Sequence, residues 1–379
     1  MTAPVLILSG LEHDMHAHAV RWALSQAGRE ARWITTWADA GLQQPVSLQC
    51  DADTGLQWHG GPAQGDFSAI WFRRPRHPSA AFLPHVHAAD QAFVFGEWKR
   101  YELNLNAVAA GMPGAFWVNP PQAALRAENK LVQLQAAHRC GLRFPATLVS
   151  SDADRIRAFA SVQGPIIYKP FLTHSWQDVQ GRIHSSYART VQPEQLQDDA
   201  SLRLCPGIFQ ARVEKAHDLR VMVIGQYLFT ARFDTPPDDD CVDWRAASLG
   251  ERMRCSVATL PAALERRIQA LMRELGLVFG CIDLVVDASG DAHFLEINQA
   301  GQFLFLEPDL PELPLLRSFS AMLLQARSDY DLDAVPAHVS TASYMVSEAH
   351  TQWWEAVGPT IRKDGEIPGV SRETAPTPA

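Results

Sequence analysis

The sequence predicts an α/β protein in three parts, and three observations carry that prediction. Over about the first 118 residues, short apolar strands alternate with helical patterns. At Asn119 a proline pair opens a long amphipathic helix, and after Leu202 the chain turns strand-rich. The expected organisation is an N-terminal α/β domain (1–118), a small central lobe (119–200), a C-terminal lobe (201–330) and a partly disordered C-terminal extension (331–379).

The elements follow in order. "VLILS" (5–9) is apolar without polar alternation, as a buried parallel strand would be. Asp14 is placed to cap a helix carrying Val20, Leu24 and Ala27, stopped by Gly28. "ARWIT" and "FSAIWF" (67–72) read as further strands. "NPPQAALRAENKLVQLQAAHRCG" reads as one amphipathic helix stopped at Gly141. "FPATLVS" and "GPIIYKP" then read as strands around a helix starting near Asp152. "GIFQARV", "LRVMVIG" and "QYLFTARFD" are strands, and 260–276 is a helix ended by Gly276. "FGCIDLVVDASGDAHFLEINQ" is a hairpin and "LPLLRSFSAMLLQAR" a final helix. Roughly the last 45 residues, with Pro and Ser/Thr, are expected to fray.

Composition narrows the function classes. Of 379 residues, 47% are hydrophobic and 20% charged, as in a soluble globular protein. A net charge of −9 argues against nucleic-acid binding, which needs a basic surface. No apolar run approaches the roughly 20 residues that cross a bilayer. The opening "MTAPVLILSG" lacks the pattern of an export signal, so a cytoplasmic protein without membrane partners is expected. The 6 cysteines are scattered without a CxxC, which fits reduced thiols and argues against zinc.

The hairpin carries the first chemical signal. A turn centred on Ser289 and Gly290 sets Ile282 opposite Ile297, Leu284 opposite Leu295 and Val286 opposite His293 on an apolar face. On the other face Asp283 lies across from Glu296, and Asn298 follows two residues on. Like charges so opposed repel, and two carboxylates with an amide oxygen are hard ligands suited to Mg²⁺, which usually shares its shell with substrate phosphates. An ordinary hairpin with surface acids has the same pattern.

Cations add to it. Lys169 ends a β-branched strand, where a buried ammonium needs an anion. Lys130 sits early in a helix, against the dipole. Asp218 and Arg220 lead into another apolar strand. The ordered set Lys130, Lys169, Arg220, Asp283, Glu296, Asn298 resembles the ATP-grasp superfamily of carboxylate–amine ligases over about 119–325. "IWFRRPRHP", "FWVNPP", "NKLVQLQAAHRCGLRFPATLVS", "DLRVMVIG", "VDWR" and "LGLVFGCIDLVV…FLEINQAGQ" narrow the resemblance to the graspetide (microviridin-type) peptide ligases.

That resemblance implies the ATP-grasp fold, with ATP between the last two lobes. It also implies Mg²⁺ and a precursor peptide whose Asp or Glu side chains are joined to hydroxyls or amines as ester or amide macrocycles. By it, Lys130 and Lys169 bind ATP phosphates, Gln210, Ala211, Arg212 and Val213 form the adenine hinge, and Arg220 neutralises the transferred phosphoryl group. Asp283, Glu296 and Asn298 hold the metal. A possible homodimer is also implied.

The sequence departs from the family at three places. Ala211 stands where a glutamate is usual, and Gln299 where proline is common. The stretch after Lys169 lacks a Gly-rich flap, leaving Thr173, His174 and Ser175 as donors.

Arg73 and Arg74 end an apolar strand, where α/β sheets take ligands, and are assigned to the substrate carboxylate; a solvated turn is the alternative. Arg232, Asp243 and Arg245, around "RFDTPPDDDCVDWR", are assigned to the substrate too, against an acidic surface loop. His13, His16 and His18 do not make a metal site, because they straddle a loop and a helix cap. "SYMVSEAHTQWWEAV" suggests docking or a packed terminal helix. Two other functions fit less of the chain: a ligase adding a free amino acid or small amine to a peptide, protein tail or small-molecule carboxylate, and a nucleotide-binding switch without catalysis.

Overall fold

The computed structural model describes residues 3–365 except 11–12, 38, 41–43, 61–66, 75–82, 112–113, 172–174, 178–179, 181, 186–187, 235–241 and 243–253. The N-terminal part is built from β1 (Val5–Leu8), α1 (Met15–Gln26), β2 (Ala31–Ile34), the hairpin β3 (Val46–Asp51) and β4 (Gly55–Gly60), β5 (Ala69–Phe72), α2 (Gln91–Gly111) and β6 (Phe116–Val118). Its parallel sheet runs β2-β1-β5-β6. Every residue of β1 and β5 is buried, as expected of strands covered on both faces. Asp14 caps α1, accepting from the His16 amide. The hairpin and α2 are additions to the sequence reading.

Next come α3 (Pro121–Ala127) and α4 (Lys130–Arg139), where one helix was expected. Asn129 divides them: its side chain accepts from the amides of Leu131 and Val132, ending one helix and capping the next. The small lobe holds β7 (Thr147–Ser150), α5 (Ala153–Gln163), β8 (Ile166–Lys169), the pair β9 (Ser175–Gln177) and β10 (Ile183–Ser185), β11 (Arg189–Thr190), α6 (Asp199–Leu204) and β12 (Gly207–Ala211). Its antiparallel sheet runs β11-β8-β12-β7 over a small core of Ile156, Ile166 and Phe209.

The largest sheet is antiparallel, β15-β14-β13-β16-β17. It is made from β13 (Lys215–Ile224), β14 (Tyr227–Asp234), β15 (Arg254–Val257), β16 (Phe279–Asp287) and β17 (Ala292–Asn298), with α7 (Ala262–Leu275) between β15 and β16. Gly276 ends α7 in the left-handed conformation, as its position in the sequence predicts. One face packs Val221, Ile282, Leu284 and Phe294 against α4 and α7. The other packs Met222, Phe233 and Phe279 against the N-terminal sheet and α8 (Leu315–Gln325).

The β16–β17 register holds at Ile282–Ile297 and Asp283–Glu296, then shifts by a bulge. Leu284 pairs with Phe294, Val285 with His293 and Val286 with Ala292, correcting the expected Leu284–Leu295 and Val286–His293 pairs. Phe294 is fully buried and takes the core position that Leu295 was expected to fill.

The fraying expected of the C-terminal stretch does not hold through residue 358. A short helical turn at Leu332–Ala334 is followed by α9 (Thr341–Met345) and α10 (Glu348–Gly365). Val335, Val339 and Tyr344 join the core shared with α1 and α8. Buried Glu307 binds this stretch, accepting from the Leu316 amide and from Thr341 Oγ1 at 2.6 Å. The Tyr344 ring is buried, and its hydroxyl has no hydrogen-bond partner among the described residues. Tyr344→Ala should lower unfolding free energy by about 3 kcal/mol in urea titration. Tyr344→Phe, which deletes an unsatisfied polar atom, should cost nothing.

Candidate active site

The opposed acids lie where the hairpin places them. Asp283 on β16 faces Glu296 on β17 and, on its other side, Arg220 on β13. Strand alternation brings Asn298 to the same face. Arg220 and Asp283 are buried, Glu296 and Asn298 half-buried.

Arg220 Nη1 donates to Asp283 Oδ1 at 2.8 Å, and Lys130 Nζ donates to Glu296 Oε2 at 2.5 Å. Asn298 Nδ2 donates to Asp283 Oδ2 at 3.2 Å and to Glu296 Oε1 at 3.3 Å. Two carboxylates bridged by Asn298 are therefore flanked by two cations in one cluster. The repulsion between acids, taken from the sequence as calling for a bound cation, is already offset by Lys130 and Arg220.

The donor set still suits a hard cation. Three side chains converge with up to three oxygens turned to one face, and the Asn298 carboxamide can present its oxygen as readily as its nitrogen. Among the described residues no cluster of three His, Cys, Asp or Glu side chains could hold a metal. Asp283, Glu296 and Asn298 are the residues that could hold Mg²⁺, with water and phosphate oxygens completing the shell.

Two helix features build this corner. Asn129 caps α4, which makes Lys130 its first residue; the ammonium sits against the helix dipole and is held there by Glu296. One turn on, Gln133 Oε1 accepts from the Ile297 amide at 3.0 Å, and its Nε2 donates to Ile297 O at 2.9 Å and Ala127 O at 2.6 Å. β17 is an edge strand, and Gln133 supplies the pairing that a further strand would give, between Glu296 and Asn298. Sequence reasoning missed Gln133; its signal is a carboxamide on the buried face of an amphipathic helix.

A second group forms in the small lobe. Lys169 Nζ donates to Gln210 Oε1 at 2.7 Å, and Gln210 Nε2 donates to Thr147 Oγ1 at 2.9 Å. The amides of Ala211 and Arg212 bond to Ala146 O and Pro165 O, so two donors of the expected adenine hinge are committed within the lobe. Val213 follows just beyond β12. Of the expected flap, Thr173 and His174 lie outside the described residues, and Ser175 begins β9.

The substrate arginines separate. Arg73 is fully buried, gripping Asp14 through Nε–Oδ2 at 2.5 Å and Nη2–Oδ1 at 3.2 Å, which corrects its substrate-facing assignment. Arg74 is half-buried, with φ +44°, and donates to Ala300 O at 3.1 Å. Arg232 faces Leu219, on the sheet face opposite Arg220, and pairs with Asp234 at 2.7 Å, so it does not join the acidic group. Asp243 and Arg245 lie outside the described residues.

The turn after Asn298 is held almost wholly by side chains. Asn119 Nδ2 donates to Gln299 O at 3.0 Å, Arg74 to Ala300 O, and Arg220 Nη2 to Gln302 O at 2.8 Å. Gly301 packs so closely on Cys281 that an added Cβ would stand 2.7 Å from its Sγ. Asn119 is a second residue the sequence reading missed, although it ends "FWVN", directly after a strand.

No protein-family model matches this sequence, and no curated protein does. Solved structures are similar. A macrocyclase from Microcystis aeruginosa bound with its precursor peptide is 25% identical, with a TM-score of 0.71 over 85% of this chain and 99% of that one. A second macrocyclase from the same organism is 26% identical, with a TM-score of 0.65 over 85% and 99%. A ribosomal-peptide-associated ATP-grasp ligase from Chryseobacterium gregarium, in complex with ADP and a leader and core peptide, is 21% identical, with a TM-score of 0.74 over 86% and 99%. The fold is thus the α/β fold of ATP-grasp ligases, as the motif resemblance implied.

Two substitutions probe the site. Glu296→Ala should abolish ATP-dependent turnover while the fold is kept at a cost of about 1 kcal/mol, since the Lys130 ammonium left behind still reaches water. Gln133→Ala, which leaves the Ile297 amide and carbonyl buried without partners, should cost about 2 kcal/mol in denaturant unfolding and reduce turnover.

Proposed function

We propose that this chain, a ligase of the ATP-grasp type, activates side-chain carboxylates of a ribosomal precursor peptide with ATP and closes ester or amide rings. The observation that carries the proposal is the joined set Lys130, Glu296, Asn298, Asp283 and Arg220, on a fold shared with two macrocyclases at 25% and 26% identity.

The chemistry asks for positioning and cations more than for covalent work by the protein. Lys130 and Lys169 are the phosphate-binding cations, and both now rest on replaceable acceptors, Glu296 and Gln210. Moving Lys130 onto a phosphate exchanges one ion contact for another, and moving Lys169 exchanges a hydrogen bond to a neutral carboxamide for an ion contact. When bound, Mg²⁺ supplies charge neutralisation between the terminal phosphates. Arg220, fixed at both ends by Asp283 and Gln302 O, meets the charge that develops on the transferred phosphoryl group. A substrate carboxylate oxygen attacks the γ-phosphorus, the bond to ADP breaks, and an acyl phosphate forms. A hydroxyl or amine of the same peptide then attacks that carbonyl, loses its proton and releases phosphate. Each ring costs the peptide one water. Arg74, on the rim beside the Ala300 carbonyl, is the residue proposed to receive the acidic side chain.

The test is incubation with Mg-ATP and the peptide encoded beside this gene. ADP release should match, one for one, the water masses lost from the peptide. ADP release with a gain in peptide mass would instead mean ligation of a separate amine.

A further inference from the structure

The N-terminal sheet changes direction between β1 and β5, the place where such sheets usually leave a ligand crevice. Here that place is filled. Asp14 takes the Arg73 fork, the Ser9 hydroxyl at 3.0 Å and the His16 amide at 3.1 Å, and all four residues are buried. Beyond them lies His16, which the proposed chemistry does not use. Its Nε2 accepts from the amides of both Phe303 and Leu304, at 3.0 and 3.2 Å, and its ring packs edge-on to Phe303 at 5.2 Å. Only a neutral imidazole can accept there. Burial, and then the charge of Arg73, hold His16 well below its ordinary pKa, with Asp14 opposing and Arg74 and Arg220 adding to the effect. The two amides follow directly on Gln302, whose carbonyl accepts from Arg220.

We infer that His16 is a positioning residue for the ligase reaction: it pins the amides of residues 303 and 304, so that the Gln302 carbonyl holds Arg220 in line with Asp283. Asp14 and Arg73 serve the same end by fixing the start of α1, where His16 stands. The N-terminal domain is on this account a template for the catalytic turn. The inference rests on the proposed ligase reading for Arg220, and the experiment separates the two.

His16→Leu removes the acceptor and keeps the bulk, whereas His16→Gln offers a carboxamide oxygen to the same two amides. In ADP-release kinetics, His16→Leu should lower kcat roughly tenfold or more with the KM for ATP nearly unchanged, and His16→Gln should recover most of the loss. Amide exchange at Phe303 and Leu304 should be slow in the wild type and His16→Gln and fast in His16→Leu. A wild-type kcat in His16→Leu, or equal exchange rates in all three proteins, would overturn the inference. If the wild type released no ADP, the ligase reading would fail, and amide exchange would still decide what His16 holds. Should His16→Leu not fold, His16→Gln decides: kcat near wild type supports the acceptor role, and a tenfold loss with the exchange rates kept overturns it.

Discussion

A turn that follows a strand into the interior must find partners for its backbone groups, because a buried amide or carbonyl left alone costs as much as a lost hydrogen bond. Residues 299–304 face this constraint directly after Asn298, and the solution uses side chains from distant elements. Asn119 at the end of β6, Arg74 after β5, His16 in α1 and Arg220 in β13 each meet one or two of the turn's groups. Gly301 lets the turn lie against Cys281. The N-terminal sheet, the acidic strand pair and Arg220 are therefore built around one short segment. Its placement in turn fixes where Asn298 and Arg220 sit relative to Asp283.

The same corner resolves its own electrostatics. Asp283 and Glu296 would repel across the ladder, but Arg220 and Lys130 each take one of them, and Asn298 bridges both. A nucleotide entering such a site need not meet bare carboxylates. On the proposed reading, phosphates would draw the ammonium of Lys130 and leave Glu296 available to a hard cation. Gln210 is the corresponding acceptor for Lys169, at 2.7 Å.

What could be read from the sequence divides by range. The Asp283–Glu296 pairing was legible because the tip at Ser289 and Gly290 fixes a local register. The bulge one step further was not, since Phe294 and Leu295 are both apolar and only the core decides which one it takes. The break at Asn129 was hidden in an amphipathic pattern that runs through it, although an asparagine two residues before an apolar residue is a cap signal. Arg73 was misjudged because its partner, Asp14, is 59 residues away and no local pattern announces a buried ion pair. His16 looked like an idle member of a histidine-rich cap, and the amides it holds are 287 and 288 residues distant.

The central claim is that a substrate carboxylate is activated by direct transfer of the γ-phosphoryl group. It is tested most directly by giving the enzyme a precursor peptide whose Asp and Glu carboxylates carry heavy oxygen, and weighing the phosphate released. The account predicts that one heavy oxygen moves from peptide to phosphate for each ring closed. Release of unlabelled phosphate alongside ring closure would contradict it.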